Sequence, residues 1–213
     1  MTTLLIVDDH MIIRRGLIQI LSEETSVSAI HEAEDGPAAL RILRSTPIDV
    51  VLLDIALGER DGLDLLKTLH VEFPRLGIIM LSVYPESQFA VRAIRSGAHS
   101  YLNKGCHPDV LLAAIAKVAS GGLYVTPLLA ELLAQNVRGG RDDEKAPHEA
   151  LSNREFQVLQ MLAQGRSISQ IAQQLSLSAN TISTYRARIF EKLAFDTVAD
   201  LFSYAARHNL MVV

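Results

Sequence analysis

The run Leu4-Leu-Ile-Val-Asp-Asp-His10 sets the reading of this chain. Four apolar residues in succession, without alternation, fit a short strand buried on both faces, and the acids after them close it. The pattern returns at Val50-Val-Leu-Leu-Asp54, and again at Ser100-Tyr-Leu-Asn-Lys104, where the closing charge is basic. Strand signals occupy residues 3–7, 27–33, 48–53, 77–81 and 100–102. Amphipathic stretches between and after them cover 11–21, 37–43, 62–71, 86–94 and 108–119. Five βα units in a row predict a doubly wound parallel sheet with helices on both faces.

In such a sheet the carboxyl ends of the strands open on one edge, where ligands bind. Asp8, Asp9, Asp54 and Lys104, far apart in sequence, are therefore expected in one cleft. Gathered carboxylates repel one another unless a cation compensates. Mg2+, a hard ion that takes oxygen ligands, is the simplest one. With the acids neutralised by the metal, Asp54 becomes a phosphoryl acceptor. Lys104 supplies a point charge for the remaining phosphoryl oxygens, and Ser82, at the end of the fourth strand, supplies a hydroxyl. Tyr101, on the last strand, is placed to report the event by moving. Taken singly, these residues have ordinary readings: Asp9 as a helix cap, Lys104 as a solvated charge, Ser82 as a loop cap, Tyr101 as sheet packing. Their joint occurrence at strand ends favours a site.

Bulk properties narrow the class. With 213 residues and 49% hydrophobic content, the chain can build one large or two small domains. Its single cysteine, Cys106, cannot form an internal disulfide and reads as an inert thiol in a reducing cytosol. The N-terminus reaches acid too soon for a signal peptide, and no apolar run approaches the roughly 20 residues of a membrane span. The expected location is cytoplasmic. The net charge of −4 divides unevenly: residues 1–150 hold 14 basic and 20 acidic groups, and residues 151–213 hold 6 and 4. A basic tail behind an acidic first part points toward nucleic acid.

After a further helix at 127–137, opened by Pro127, the periodicity stops. Residues 138–150 are polar and contain glycine, as in a linker. The remaining chain reads as four helices. Ser152 and Glu155 form a capping box, with Leu151 and Phe156 as a hydrophobic staple, and Gly165 closes that helix. Ser167 and Gln170 form a second box. Ser178 caps a third helix running to about Leu193, and a fourth covers 198–207. Ile168, Ile171, Ala172 and Leu175 share one apolar face, and Leu177 fills the turn. Ile182, Ile189 and Leu193 are the buried side of the next helix. Asn180, Ser183, Thr184, Ala187 and Arg188 then face outward, suited to a major groove, with Arg186, Arg188 and Lys192 within reach of phosphates. A protein-binding or dimerisation bundle is the competing reading of these helices.

Over residues 1–122 the chain resembles the receiver domain of bacterial response regulators. The match lies in VDDH at 7–10, LLDI at 52–55, DG at 61–62, LSV at 81–83, and Tyr101 with Lys104. It implies a CheY- or flavodoxin-like fold, with Asp54 phosphorylated by a partner histidine kinase. It also implies Mg2+ held by Asp9, Asp54 and the Ala56 carbonyl, with Asp8 acting through water. Ser82 and Tyr101 would form a switch pair, Ser82 moving toward the phosphate and Tyr101 turning inward. Gly58 stands where the family usually has proline, and Gly105 follows Lys104 where many members have a cis proline. Residues 151–211 resemble the LuxR-type helix-turn-helix of the NarL/FixJ family, on LSNREFQVLQMLAQG, IAQQLSLSANTIS, IFEKL and YAARHNL. That resemblance implies a scaffold helix at 170–175, a recognition helix at 179–192 that includes Thr181, and a final helix used for dimer contacts. The family's Thr-Val-Lys-x-His reads here Thr181-Ile182-Ser183-Thr184-Tyr185.

The expectation is thus a receiver (1–122), a connecting helix and linker (123–150) and a helix-turn-helix (151–213). Together they make a phosphorylation-controlled transcription factor, not an enzyme, that binds double-stranded promoter DNA as a dimer. An atypical regulator governed by partner binding or constitutive dimerisation is the alternative. An aspartyl-phosphate phosphatase would carry a second Asp where Ala56 stands, and a nucleotide-binding protein would carry a glycine-rich loop after the first strand.

Overall fold

Among the described residues the strands are, in chain order, β1 (Thr2–Val7), β2 (Val27–Ala33), β3 (Val50–Asp54), β4 (Ala56–Leu57), β5 (Arg60–Asp61), β6 (Gly77–Ser82) and β7 (Ser100–Asn103). Five of them make one parallel sheet in the order β2-β1-β3-β6-β7, while β4 and β5 pair as a small antiparallel ladder that the sequence did not announce. The computed structural model describes residues 1–57, 60–138, 146–175, 177–208 and 210. Gly58, Glu59 and most of the expected linker (139–145) lie outside them. The chain divides into two units, Met1–Gly139 and Gly140–Val213. Among the described residues no helix is long and apolar enough to cross a membrane.

In the first unit the helices are α1 (Met11–Ser22), α2 (Gly36–Ser45), α3 (Gly62–Glu72), α4 (Glu86–Arg95), α5 (Pro108–Ala119) and α6 (Pro127–Arg138). Leu4, Ile6, Val50, Leu52, Ile79, Leu81 and Leu102 face a core shared with Leu21 of α1 and with Leu111, Ile115 and Val118 of α5. The alternate residues Leu5, Val7, Val51, Leu53, Ile78 and Met80 are as deeply buried on the other side, where α2, α3 and α4 pack. Burial on both faces explains why these strands read as unbroken apolar runs. β3 begins at Val50 rather than at residue 48; at Asp49 the backbone still bonds Thr3 and Gly77, and the Asp49 side chain accepts a further hydrogen bond from the Thr3 N–H at 2.7 Å. Asp35 caps α2 through the Ala38 N–H, and Asp61 caps α3 through the Leu63 N–H. α6 belongs with this unit: Leu129 is fully buried, and Thr126 both caps the helix at the Leu129 N–H and bonds Glu86 at the start of α4.

The second unit holds a 3-10 turn at Pro147–Ala150, where linker was expected, then α7 (Asn153–Ala163), α8 (Ile168–Gln174), α9 (Ala179–Leu193) and α10 (Val198–Arg207). Both expected capping boxes are present, at Ser152/Glu155 and Ser167/Gln170, and Thr197/Asp200 makes a third. Gly165 takes φ 77° and ends α7 in the left-handed conformation that glycine adopts without penalty. Ile171, Ala172, Leu175, Ile182, Ile189 and Leu193 are buried, whereas Ile168 and Leu177 are only partly covered.

Candidate functional site

The strand order places β1 and β3 side by side, with connections leaving in opposite directions, so a crevice opens beyond their carboxyl ends. Asp8 follows β1, Asp54 ends β3, Ser82 ends β6 and Lys104 follows β7. The Lys104 Nζ stands between two buried carboxylates, 2.6 Å from Asp8 Oδ2 and 2.7 Å from Asp54 Oδ2. Asp9 is more open and pairs with His10 Nδ1 at 2.7 Å. The N-cap residue of α1 is His10 rather than Asp9, and the His10 side chain makes no capping hydrogen bond. One ligand atom from each of Asp8, Asp9, His10 and Asp54 fits within a 4.8 Å cluster.

Electrostatics follow from depth. Burial pushes the Asp54 carboxyl up to about 6; Lys104 opposes this, Asp8 adds to it, and the Ala56 backbone N–H opposes it. Burial by itself would lower the Lys104 ammonium, but Asp54 and Asp8 more than offset it, and its pKa rises. Asp54 Oδ2 takes that ammonium as its partner at 2.7 Å and, with two lone pairs, keeps capacity for one more ligand. A buried carboxylate oxygen with unused acceptor capacity, next to two more carboxylates, suits a hard divalent cation.

Glycine at 62 is required by close approach. A Cβ there would lie 1.9 Å from the Asp54 carbonyl oxygen. The Asp61-Gly62 pair therefore closes the Asp54 turn, with the Gly62 N–H donating to the Ile55 carbonyl at 2.8 Å.

Tyr101 is fully buried, and its hydroxyl donates to the Tyr84 carbonyl at 3.0 Å. The ring already points inward, where the resemblance implied an inward turn only on activation. Ser82 Oγ accepts from the Tyr84 N–H at 3.0 Å, so Ser82 and Tyr101 meet through Tyr84. The Lys104–Gly105 bond is trans. Cys106 is partly buried with its thiol pushed upward by burial, in keeping with an inert group. Tyr84, His10 and Arg14 also stand at the crevice or beside it. His10 lay within the quoted VDDH, and Arg14 was hidden in an amphipathic pattern that puts charge outside.

In the second unit, α9 carries Asn180, Ser183, Thr184, Ala187 and Arg188 on an exposed face. Ser183 Oγ and Thr184 Oγ1 donate to the Ala179 and Asn180 carbonyls at 2.9 and 3.0 Å. Thr181 is tied to Ser178 at the cap. Arg186 lies over the Phe190 ring, 4.9 Å from its centroid. The Lys192 ammonium is 2.7 Å from the buried Glu155 Oε2, the carboxylate that also accepts from the Ser152 N–H. A buried carboxylate claims the nearest cation. Sequence gave no sign of the His148 contact, in which its ring and backbone N–H meet the Tyr204 hydroxyl at 2.8 and 3.1 Å.

Residues 4–116 match the family described as response regulator receiver domain, and residues 149–205 match the one described as bacterial regulatory proteins, luxR family. The response regulator UvrY of Escherichia coli K12 is 33% identical over 210 residues, covering 99% of this chain and 96% of UvrY. The transcriptional regulatory protein UhpA of the same organism is 37% identical over 202 residues, covering 94% and 96%.

The chain belongs to the NarL/FixJ family of response regulators.

Among solved response regulators, RcsB of Salmonella enterica serovar Typhimurium, bound to promoter rprA with the phosphomimetic BeF3-, aligns with a TM-score of 0.59 at 26% identity, covering 97% of this chain and 99% of that one. ChrA, from a heme-sensing two-component system, aligns at 0.52 with 30% identity, covering 99% and 98%. The parallel sheet with its acidic crevice is this response regulator's receiver, and α7–α10 are its LuxR-type DNA-binding helices.

Proposed function

We propose that this response regulator accepts a phosphoryl group on Asp54 from the phosphohistidine of a partner kinase, and that the phosphorylated form binds promoter DNA as a dimer. The observation that carries the reading is Lys104, held between Asp8 and Asp54 at 2.6 and 2.7 Å. In the transfer, a carboxylate oxygen of Asp54 forms the new O–P bond as the P–N bond to the donor histidine breaks, and that imidazole keeps the electron pair. Asp9, Asp54 and the Ala56 carbonyl would hold Mg2+, with Asp8 acting through water. When bound, Mg2+ neutralises the acids and draws on the phosphoryl oxygens. Lys104 leaves the Asp54 carboxylate for an oxygen of the new phosphate. Ser82 turns its hydroxyl from the Tyr84 N–H to the phosphate, which loosens the loop that Tyr101 holds.

DNA recognition is assigned to α9. Asn180, Thr181, Ser183, Thr184 and Ala187 face base edges, and Arg188, flanked by Arg186, meets phosphates. Residues 1–122 serve as the receiver, 123–150 as the connection and 151–213 as the DNA-binding domain. The protein works in the cytoplasm as a regulator and not as an enzyme. A second reading, control without phosphorylation, draws on the inward Tyr101, which already occupies the orientation expected of the active form.

Light scattering and promoter binding separate the two readings, using wild type and Asp54→Ala with Mg2+ and beryllofluoride. A gain of dimer and of affinity in wild type alone supports the switch. Equal dimer and affinity in both proteins, with and without beryllofluoride, supports the second reading.

A further inference from the structure

Arg14 is a buried cation that the transfer reaction does not use. It lies in the first turn of α1, and its side chain folds back across the ends of β1 and β2. Nη1 donates to the Asp8 carbonyl at 2.6 Å, and Nε donates to Glu32 Oε2 at 3.2 Å. A guanidinium taken out of water is costly unless its donors are matched. Here its partners are the carboxylate near the end of β2 and the backbone oxygen of the first acid in the crevice.

That oxygen belongs to the peptide linking Asp8 to Asp9. The β1 ladder stops at Val7; beyond it the Asp8 N–H still reaches the Ala33 carbonyl, at 3.2 Å. The next peptide plane lies past the sheet. Its carbonyl direction sets where the Asp9 Cα, and hence the Asp9 carboxylate, is placed. We propose that Arg14 is a positioning residue for the cation site: by holding the Asp8 carbonyl and Glu32 together it fixes the Asp8–Asp9 peptide, which presents Asp9 to the metal. This rests on the Mg2+ site of the proposed function.

Charge and position predict opposite signs. A fixed cation beside an acidic site repels Mg2+, so if Arg14 acted through charge alone, its removal would tighten binding. If it acts by positioning, removal weakens binding even though the site becomes more negative. Partners in the outer shell of metal sites are commonly worth about 10- to 100-fold in affinity.

The test is isothermal titration of Mg2+ into full-length wild type, Arg14→Met and Arg14→Lys without phosphodonor, with thermal unfolding of each to establish folding. Positioning predicts Mg2+ binding about tenfold weaker in Arg14→Met. Arg14→Lys keeps the charge but cannot span both partners, and should fall between the two. The acetyl phosphate reaction should need more Mg2+ yet reach the wild-type rate at saturation, because Asp54 and Lys104 are unchanged. Equal or tighter binding by Arg14→Met overturns the proposal. If Arg14→Met does not fold, Arg14→Lys decides: weaker binding supports the proposal and wild-type binding overturns it. A wild-type protein that binds no Mg2+ would instead overturn the cation site itself.

Discussion

The Nζ of Lys104 lies 2.7 Å from Oδ2 of Asp54, and the same ammonium lies 2.6 Å from Asp8. Lys104 thus occupies, from the protein side, the electrostatic role that a divalent ion would share. Replacing it with Met leaves two buried carboxylates facing one another. The Lys104→Met protein should melt below wild type without metal, and Mg2+ should raise its melting temperature by more than it raises that of wild type. Differential scanning calorimetry with and without Mg2+ checks both statements.

Gly62 is where the acceptor turn tolerates no side chain. Gly62→Ala puts a methyl group into the Asp54 carbonyl, so the backbone of β3 or α3 must shift. The expected destabilisation is about 3 kcal/mol, the upper part of the range for overpacking, read from urea unfolding.

His99 gives the receiver a pH-dependent stability. Its Nδ1 accepts from the Ile78 N–H at 3.2 Å, and burial, then the nearby His70, lowers its pKa. With the folded pKa depressed, the stabilisation is complete above the ordinary value of about 6.5. It is lost as pH falls below that, because the unfolded chain takes up the proton first. Wild type should therefore lose more stability between pH 7.5 and 5.5 than His99→Asn does, as measured by urea unfolding at each pH.

Lys192 and Arg188 separate stability from DNA contact. Lys192→Met strips the cation from buried Glu155 and should cost about 1 kcal/mol, with the salt dependence of DNA binding unchanged. Arg188→Ala should leave the melting temperature alone and lower the log–log salt slope of promoter binding by about 1. Unfolding curves and binding titrations at several salt concentrations check the pair.

The legible parts of the sequence were those governed by local rules. Unbroken apolar runs located the parallel strands because both faces of the sheet are covered, and capping boxes at Ser152 and Ser167 located helix starts because the backbone there needs acceptors. The convergence of Asp8, Asp54 and Lys104 followed from strand polarity. The pairs joined through tertiary packing were not legible. Arg14 reaches Asp8 and Glu32 across three elements, Lys192 reaches Glu155 across 37 positions, and Tyr101 finds the Tyr84 carbonyl. In each case a polar side chain is recruited by an unmet donor or acceptor that only folding creates. The β4–β5 ladder is too short to leave a period in the sequence.

Phosphorylation of Asp54 is best tested by intact-mass spectrometry of the full chain after incubation with acetyl phosphate and Mg2+, beside Asp54→Asn and a chelated control. One added phosphoryl group on wild type, absent from Asp54→Asn and from the chelated sample, is the predicted result. No added mass on wild type, or equal labelling of Asp54→Asn, would contradict the assignment of Asp54 as the acceptor.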